Sequence, residues 1–255
     1  MQAATGYTRK SIALPPRLVT APPAQIAAGV WLLRGGFPHR SMNVYAIEDD
    51  GSVTLYDGGI RQMADALVRS GNAMGGIKRV VIGHAHADHR GSVPFLGAPS
   101  YCHPAEAPDA AGDGGMHYIR IDRALPAITR PLVRPLMRRW DGGPVELAGH
   151  LEEGDEVAGF EVVHLPGHTP GSIALWRRAD RIALTSDCFY THGWELRVRR
   201  GARLPRDAFT VDMALARESL RKLAALEPRS AWPGHGRPVL GDVRTQLERA
   251  AAGSP

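Results

Sequence analysis

Short apolar runs separated by turn residues predict strands in the first part of the chain. Gly35-Gly36 and Asp49-Asp50-Gly51 separate three such runs. Runs bounded by Gly and Asp in this way are typical of neighbouring antiparallel strands, so they predict a meander. The predicted strands are residues 29–34, 43–48 and 52–56. The segment 60–70 then carries apolar side chains at helical spacing, which predicts an amphipathic helix.

The rest of the chain repeats this order of strands followed by helices. Helices are predicted at residues 211–226 and 239–252. The predicted strands are residues 80–82, 99–102, 145–147, 156–164, 172–176, 181–185 and 230–232. Strands followed by helices, given twice, predict two sheets packed face to face with helices outside each sheet.

Two stretches depart from this pattern. Residues 1–24 are rich in Pro, Ala and Thr and predict an irregular lead-in to a single domain that spans residues 1–255. Residues 116–140 hold six arginines against one aspartate, with apolar residues and Trp140 between them. The pattern fits a solvated, Pro-kinked helical connection, and it also fits a basic lid with an apolar inner face.

Composition narrows the class of protein. Hydrophobic residues make up 44% of the chain and charged residues 22%, as in soluble globular proteins. The net charge of +5 permits a small anionic substrate without requiring a nucleic acid. Cys102 and Cys188 form no disulfide framework, and no apolar run reaches the roughly 18 residues of a membrane span. We expect a cytoplasmic protein without a membrane partner; the sequence does not indicate its oligomeric state.

The stretch after Val80-Val81-Ile82 carries the strongest chemical signal. Three histidines and an aspartate lie within six positions, namely His84, His86, Asp88 and His89. His84 and His86 project to the same side if the chain leaves the strand extended, and the next two side chains lie where a helix begins. Imidazole and carboxylate at this density are typical ligands of a divalent metal.

Three further residues have the position and chemistry to complete such a site. His168 lies in a loop bounded by Gly and Pro between two predicted strands. Asp187 follows the apolar strand at 181–185, and His235 lies between two glycines after the strand at 230–232. Functional side chains are common at such strand ends.

The motifs His84-x-His86-x-Asp88-His89 and Gly167-His168-Thr169-x-Gly171 resemble those of the metallo-β-lactamase superfamily. The resemblance implies an α+β fold, the αββα sandwich. It also implies one metal at His84, His86 and His168, a second at Asp88, His89 and His235, and Asp187 shared between them. Two zinc ions are the first expectation, although iron or manganese accepts the same ligands. Asp57 is expected to hold a ligand histidine through its other ring nitrogen.

A pair of metals would supply a bridging hydroxide, which predicts hydrolysis of a small ester-like substrate. Asp88 is expected to orient the hydroxide and to pass a proton to the leaving group. Tyr190 stands three residues after Asp187, which resembles the acyl-homoserine lactonases, where such a tyrosine binds the substrate carbonyl. A lactone is therefore the favoured substrate, with Asp88 and Tyr190 as catalytic residues.

Other functions stay open at this point. A thioesterase or phosphoesterase could use the same residues, and a mononuclear iron persulfide dioxygenase shares both motifs. A basic RNA-binding module would use the arginines of 116–140 and 195–206, although no pattern of stacking aromatic residues accompanies them. Cys188 is expected to pack in the core. The histidines expected to be structural or exposed are His39, His103, His117, His150, His164 and His192.

Overall fold

The first sheet follows the order of the chain. The computed structural model describes residues 21–37, 40–124, 127–128, 130–192 and 198–253. Within these ranges seven strands form the sheet in the order β1 to β7. They are β1 (Ala24–Ala27), β2 (Val30–Gly35), β3 (Met42–Asp49), β4 (Ser52–Tyr56), β5 (Ile77–Val81), β6 (Ser100–Cys102) and β7 (Gly149–His150). Strands β1 to β4 are antiparallel, which confirms the predicted meander, and β4 to β7 are parallel.

The second sheet is built from the later part of the chain. Its strands are β8 (Glu156–Val157), β9 (Phe160–His164), β10 (Ile173–Arg177), β11 (Ile182–Ser186), β14 (Ser230–Pro233) and β15 (Val239–Leu240). Their order in the described structure is β15-β14-β11-β10-β9-β8. A separate antiparallel ribbon, β12 (Tyr190–His192) with β13 (Val198–Arg203), lies between β11 and β14 in the sequence.

Helices occupy connections between strands, and one more helix follows the last strand. The α-helices are α1 (Ala64–Ala73), α2 (Ala87–Arg90), α3 (Ala107–Ala111), α4 (Ile121–Ala124), α5 (Arg130–Trp140), α6 (Met213–Ala225) and α7 (Val243–Ala252). Short 3-10 turns lie at Arg61–Met63, Val93–Phe95, Pro104–Glu106 and Asp207–Phe209. Helix α6 begins where Asp212 caps it, because this carboxylate accepts hydrogen bonds from two backbone N–H groups of the first turn.

The alternation of side chains along the strands divides the core into three layers. On β3, Tyr45 and Ile47 join inward residues of the second sheet, whereas Val44 and Ala46 pack with the helices outside the first sheet. On the second sheet, β10 divides in the same way between the space between the sheets and the layer under α6 and α7. The period of two thus produces the expected αββα sandwich.

The segment 116–140 contributes to the outer layer of the first sheet. Ile121, Met137 and Trp140 are buried in the same cluster as the outward residues of that sheet. Arg138 and Arg139 are exposed. Its apolar residues therefore serve core packing, and a role of the segment as a lid stays a prediction. Of the lead-in at 1–24, residues 1–20 lie outside the described residues.

Three predicted elements were wrong in detail. Residues 145–147 form no strand; the N–H of buried Val145 donates to the carbonyl of Ala110, so it anchors the chain to α3. Residues 156–164 form a hairpin, because Ala158 and Gly159 both have positive φ, as a two-residue turn requires. The closing helix begins at Val243, since Val239–Leu240 pairs with β14 as β15.

Two pairs of parallel strands bring the chemical residues to one edge of the sandwich. Asp57 follows β4, and the histidine-rich stretch follows the parallel strand β5. Asp187 follows β11, and His235 follows the parallel strand β14. Carboxyl ends of parallel strands lie at the same edge of a sheet, so packing the two sheets brings both sets together. No helix in the described parts of the chain combines the length and apolar character needed to cross a bilayer.

Candidate metal centre

The histidine-rich stretch begins after β5 in a short loop and continues into helix α2. His86 caps this helix, and its carbonyl accepts hydrogen bonds from the N–H groups of His89 and Arg90. Asp88 and His89 therefore start a helical turn, as predicted, while His84 and His86 lie before it. The change of backbone direction sends the two pairs of side chains to two neighbouring positions.

The first group of donors consists of three buried histidines. The rings of His84, His86 and His168 lie with their centroids 4.7 Å apart in each of the three pairs. His168 Nε2 lies 3.1 Å from His86 Nδ1. The three side chains each offer a nitrogen within 4.8 Å of the others, so they can share one cation.

The second group of donors contains Asp88, His89 and His235. The Nε2 atoms of the two histidines are 3.2 Å apart, and His235 Nε2 is 3.2 Å from Asp88 Oδ2. His235 reaches this position because Gly234 passes close to the other donors. A Cβ atom on Gly234 would lie 2.5 Å from both Asp187 Oδ1 and His89 Cε1.

Asp187 lies between the two groups. Its Oδ2 atom is 3.8 Å from His168 Nε2, 3.5 Å from His89 Nε2 and 3.4 Å from His235 Nε2. A single carboxylate oxygen thus approaches one member of the first group and two of the second. This is the position that the shared ligand would occupy.

The donor set fits divalent metal ions. Zinc bonds to nitrogen or oxygen of about 2.1 Å in a tetrahedron would separate neighbouring donors by about 3.4 Å, close to the 3.1–3.8 Å observed. His84 Nε2 and Asp187 Oδ1 are buried and have no hydrogen-bond partner among the described residues. Such groups are costly to bury unless something binds them.

The electrostatics of the two groups differ. Burial lowers the pKa of His84 and also that of His86, to about 3, and of His168, to about 4, so these imidazoles stay neutral. Burial also disfavours charge on His235, but the carboxylates of Asp187 and Asp88 outweigh it and raise its pKa to about 10. The neutral imidazoles of the first group offer lone pairs to a cation. The carboxylates of Asp88 and Asp187 attract positive charge to the second group, and a divalent cation can supply that charge.

Asp57 makes the contact predicted from the sequence. Its Oδ2 atom lies 2.8 Å from His89 Nδ1, and its Oδ1 accepts a hydrogen bond of 2.8 Å from the N–H of Gly83. Ser186 is a partner that the sequence pattern does not single out. Its Oγ lies 2.8 Å from Asp57 Oδ2 and 2.9 Å from His84 Nδ1.

Glu106 is a second buried residue without a clear signal in the sequence. Its side chain accepts hydrogen bonds from the N–H of Ala85, between two donor histidines, and from the N–H of Gly171 and the hydroxyl of Thr169. It therefore ties the His84–His86 turn to the His168 loop. Burial raises its pKa to about 7, although these three donors oppose the shift.

Arg90 anchors helix α2 to the segments around Asp109 and Asp141. Its guanidinium is fully buried, donates to the carbonyls of Asp109, Ala110 and Gly112, and pairs with Asp141 at 2.9 Å. Satisfying a buried arginine requires several acceptors at once, so these contacts fix the orientation of the helix that carries Asp88 and His89.

The first sheet also holds the His235 loop. Asn43 donates through Nδ2 to the carbonyls of Pro233 and Gly236, at 2.8 and 3.0 Å. The hydroxyl of Tyr45 donates to the same Pro233 carbonyl at 2.7 Å. These bonds cross from one sheet to the other and set the position of His235.

Tyr190 lies on the ribbon next to the site. The N–H of Arg206 donates to its hydroxyl oxygen at 3.1 Å. Burial raises the pKa of Tyr190 and the charge of Asp187 adds to this effect, while the hydrogen bond opposes it. Cys188 is buried in the outer core cluster of the second sheet, as expected.

The remaining histidines lie apart from the two donor groups where they are described. His103 and His164 stack with ring centroids 3.9 Å apart. His117 lies beside Asp109 and Asp113 in a more exposed group that could also hold a cation. His150 is an exposed residue of β7. His39 and the side chain of His192 lie outside the described residues.

Comparisons with known proteins agree with this geometry. The sequence profile of the Metallo-beta-lactamase superfamily matches residues 39–235. The chain is 28% identical over 232 residues to the probable metallo-hydrolase YflN of Bacillus subtilis, covering 82% of this chain and 86% of that protein. It is 25% identical over 206 residues to the probable metallo-hydrolase YybB of the same organism, covering 78% and 82%.

Solved structures show the same architecture. The metallo-beta-lactamase family protein TTHA1429 from Thermus thermophilus is 26% identical, with a TM-score of 0.64 over 90% of this chain and 80% of that chain. The metallo-beta-lactamase FIM-1 from Pseudomonas aeruginosa, in a mono-zinc form, shares the fold at 16% identity, with a TM-score of 0.63 over 94% and 97%. Since the family profile covers most of the sequence, the chain belongs to the metallo-beta-lactamase superfamily.

Proposed function

We propose that this protein is a metal-dependent hydrolase that holds two divalent metal ions, with zinc favoured, and cleaves a small ester-like substrate. The observation that carries the proposal is the convergence of two groups of three donors on either side of Asp187. The first metal would bind His84, His86 and His168, and the second Asp88, His89 and His235. The relatives named as probable metallo-hydrolases support the same class of reaction.

The exposure of the donors indicates the side from which a substrate arrives. The side chains of Asp88 and His235 are 22% and 16% exposed, whereas those of His84, His86 and His168 are almost completely buried. A substrate carbonyl would therefore reach the site beside Asp88. The positive groups around Asp88 lower its pKa although burial opposes this, so its carboxylate stays ionised and can accept a proton.

Bound divalent ions would lower the pKa of a coordinated water and polarise a substrate carbonyl. The chain's own residues would complete the chemistry. Asp88 would orient the attacking water and deliver a proton to the leaving oxygen. Tyr190 would donate its hydroxyl proton to the substrate carbonyl, because its oxygen already accepts from Arg206 and still carries a proton. A lactone is the favoured substrate, because a tyrosine three residues after the shared aspartate resembles that of the acyl-homoserine lactonases.

The test combines metal analysis with a substrate panel. Purified protein is expected to contain up to two equivalents of a transition metal and to hydrolyse lactones faster than aryl esters, thioesters or phosphotriesters. Removal of the metal should abolish turnover, and zinc should restore it. A preparation supplied with zinc, iron and manganese that binds less than one equivalent of each would overturn the proposal.

The same panel, together with assays of oxygen uptake and RNA binding, decides between the alternative activities. Preferred turnover of a thioester or a phosphotriester would replace the lactone and keep the metal centre. Oxygen uptake with glutathione persulfide, together with one iron and no hydrolysis, would show a dioxygenase instead. Binding of RNA that weakens steeply with salt, without any turnover, would show a nucleic-acid-binding function.

A further inference from the structure

Ser186 occupies a point where the two donor groups meet behind the metal site. The residue is 1% exposed and ends strand β11. Its Oγ atom lies 2.8 Å from Asp57 Oδ2, 2.9 Å from His84 Nδ1 and 3.2 Å from His89 Nδ1. One hydroxyl group therefore contacts a carboxylate and one histidine of each group.

The protons in this cluster can be assigned from its chemistry. A carboxylate only accepts hydrogen bonds, so the hydroxyl of Ser186, whose oxygen lies 2.8 Å from Asp57 Oδ2, directs its proton there. The Ser186 oxygen is then left as an acceptor toward His84 Nδ1, and this ring nitrogen must carry the proton. The Nε2 atom of His84 keeps its lone pair. This is the buried atom that has no partner among the described residues.

Asp57 acts on the second group in the same way but directly. Its Oδ2 atom accepts from His89 Nδ1 at 2.8 Å, which leaves His89 Nε2 free to face His235 and Asp187. The N–H of Gly83 donates to Oδ1 and holds the carboxylate in place. A histidine that ligates a metal needs such a partner at its other nitrogen to fix its tautomer and orientation.

We propose that Ser186 is a positioning residue that extends the hydrogen bonding of Asp57 to His84, so that one carboxylate sets the ligand tautomer in both donor groups. The inference rests on the proposed function, because the tautomers of these histidines affect function only if the histidines bind a metal ion. It also identifies a residue that would affect a bound metal ion only indirectly, through its contact with His84.

The backbone of Ser186 makes this role separable from simple packing. Its φ is +43°, a region that costs free energy for a residue with a Cβ atom and little for glycine. Glycine therefore relieves backbone strain of roughly 1 kcal/mol, which offsets part of the cost of losing the two hydrogen bonds. The stability of Ser186→Gly should change little, whereas its zinc affinity and the tautomer of His84 should change if Ser186 positions this ring.

The experiment compares Ser186→Gly and Ser186→Ala with the unchanged protein. Zinc affinity is measured by competition with a chromophoric chelator, and thermal unfolding is measured on the metal-free proteins. We expect both variants to bind zinc about 10- to 100-fold more weakly at one position. Metal-free Ser186→Gly should unfold at a temperature close to that of the unchanged protein, because the relief of backbone strain offsets part of the lost hydrogen bonding.

The matched control is Thr185→Val in the same strand. This substitution removes a hydroxyl whose bond, to the carbonyl of Trp232, involves none of the proposed ligands. Its zinc affinity should equal that of the unchanged protein. Equal zinc affinity in Ser186→Gly and the unchanged protein would overturn the role of Ser186 and leave the metal centre intact.

A second measurement does not depend on metal. Long-range 1H–15N correlation spectra of the metal-free protein report which nitrogen of each neutral histidine carries the proton. We expect His84 to be protonated at Nδ1 in the unchanged protein and to populate both tautomers in Ser186→Gly. A His84 protonated at Nε2 in the unchanged protein would refute the assignment, whereas absence of zinc binding with the expected tautomer would refute only the proposed function.

Discussion

Because Asp187 lies between the two donor groups, they form one site and not two independent clusters. Its oxygen lies within 3.8 Å of nitrogens from both groups, and a positively charged environment lowers its pKa although burial opposes this. The carboxylate is therefore ionised and attracts positive charge. Its neighbour Cys188 points into the apolar cluster under the helices.

Replacing Asp187 by alanine should lower the metal content at the second position and abolish turnover, because the shared oxygen is lost. Metal stoichiometry and hydrolysis rates measure both effects. The adjacent Cys188→Ala is the control and should keep full metal content and nearly full activity, with a stability loss of about 1 kcal/mol. Equal activity in the two variants would contradict the position given to Asp187.

Tyr190→Phe tests the role given to the ribbon. Removing the hydroxyl takes an acceptor from the Arg206 N–H, for a cost of about 1 kcal/mol in stability. If the hydroxyl also binds the substrate carbonyl, kcat/KM should fall by about 10- to 100-fold while the metal content is unchanged, as expected for one lost hydrogen bond in the transition state. An unchanged kcat/KM would show that Tyr190 only holds the ribbon.

At the scale of elements, the site is a set of turns held together by buried polar residues. Glu106 joins the turn after β5 to the loop between β9 and β10, and it leaves no room at Gly171, where a Cβ atom would collide with it. Arg90 holds helix α2 against the segment around Asp141. Each residue satisfies several donors or acceptors, so each fixes the relative position of two elements.

The burial of Glu106 should appear in the pH dependence of stability. Its pKa in the folded protein is raised to about 7, so its contribution is fully present below its ordinary value of 4.5 and is lost as the pH rises through about 7. Metal-free protein should therefore lose up to about 3 kcal/mol relative to Glu106→Gln between pH 4.5 and pH 8. Denaturant unfolding at several pH values measures this difference.

The exposed Glu218 supplies the control for this experiment. Glu218→Gln makes the same change of side chain at the surface and is measured over the same pH range. A constant difference between the unchanged protein and Glu106→Gln would show that the buried carboxylate keeps its ordinary pKa.

On the scale of the whole molecule, the donors come from both sheets. His84, His86, Asp88 and His89 follow a strand of the first sheet, whereas His168, Asp187 and His235 belong to the second. Bound metal would therefore join the two halves of the sandwich. A ligand that binds only the folded state stabilises it by mass action.

Zinc at about 1,000 times its dissociation constant should stabilise the protein by about 4 kcal/mol, and a chelator should reverse the effect. For a protein of this size the midpoint of thermal unfolding should shift by roughly 10 °C. Asp187→Ala should show a smaller shift at the same zinc concentration. No shift in the unchanged protein would contradict a metal shared between the sheets.

The sequence supports most of the element assignments because they depend on local periodicity. The repeated order of strands followed by helices predicts two sheets with helices outside them, and the dense histidines after β5 predict a metal site. Residues 145–147 form no strand, because the alternating segment Val-Glu-Leu can anchor a loop as well as pair in a sheet. The hairpin at Ala158-Gly159 leaves a weak signal in the sequence, because one of its two positive-φ residues is an alanine.

The amino-acid sequence is therefore enough to predict the chemistry of the donors and the two-sheet pattern, since both depend on neighbouring residues. Which donors meet, and which residues contact them from behind, follows only from the packing of the two sheets. Ser186 contacts His84 across 102 positions of the chain and Asp57 across 129, and such contacts arise only when the two sheets pack. A serine, a glutamate and an arginine carry no distinctive local pattern, and their roles follow from where folding buries them.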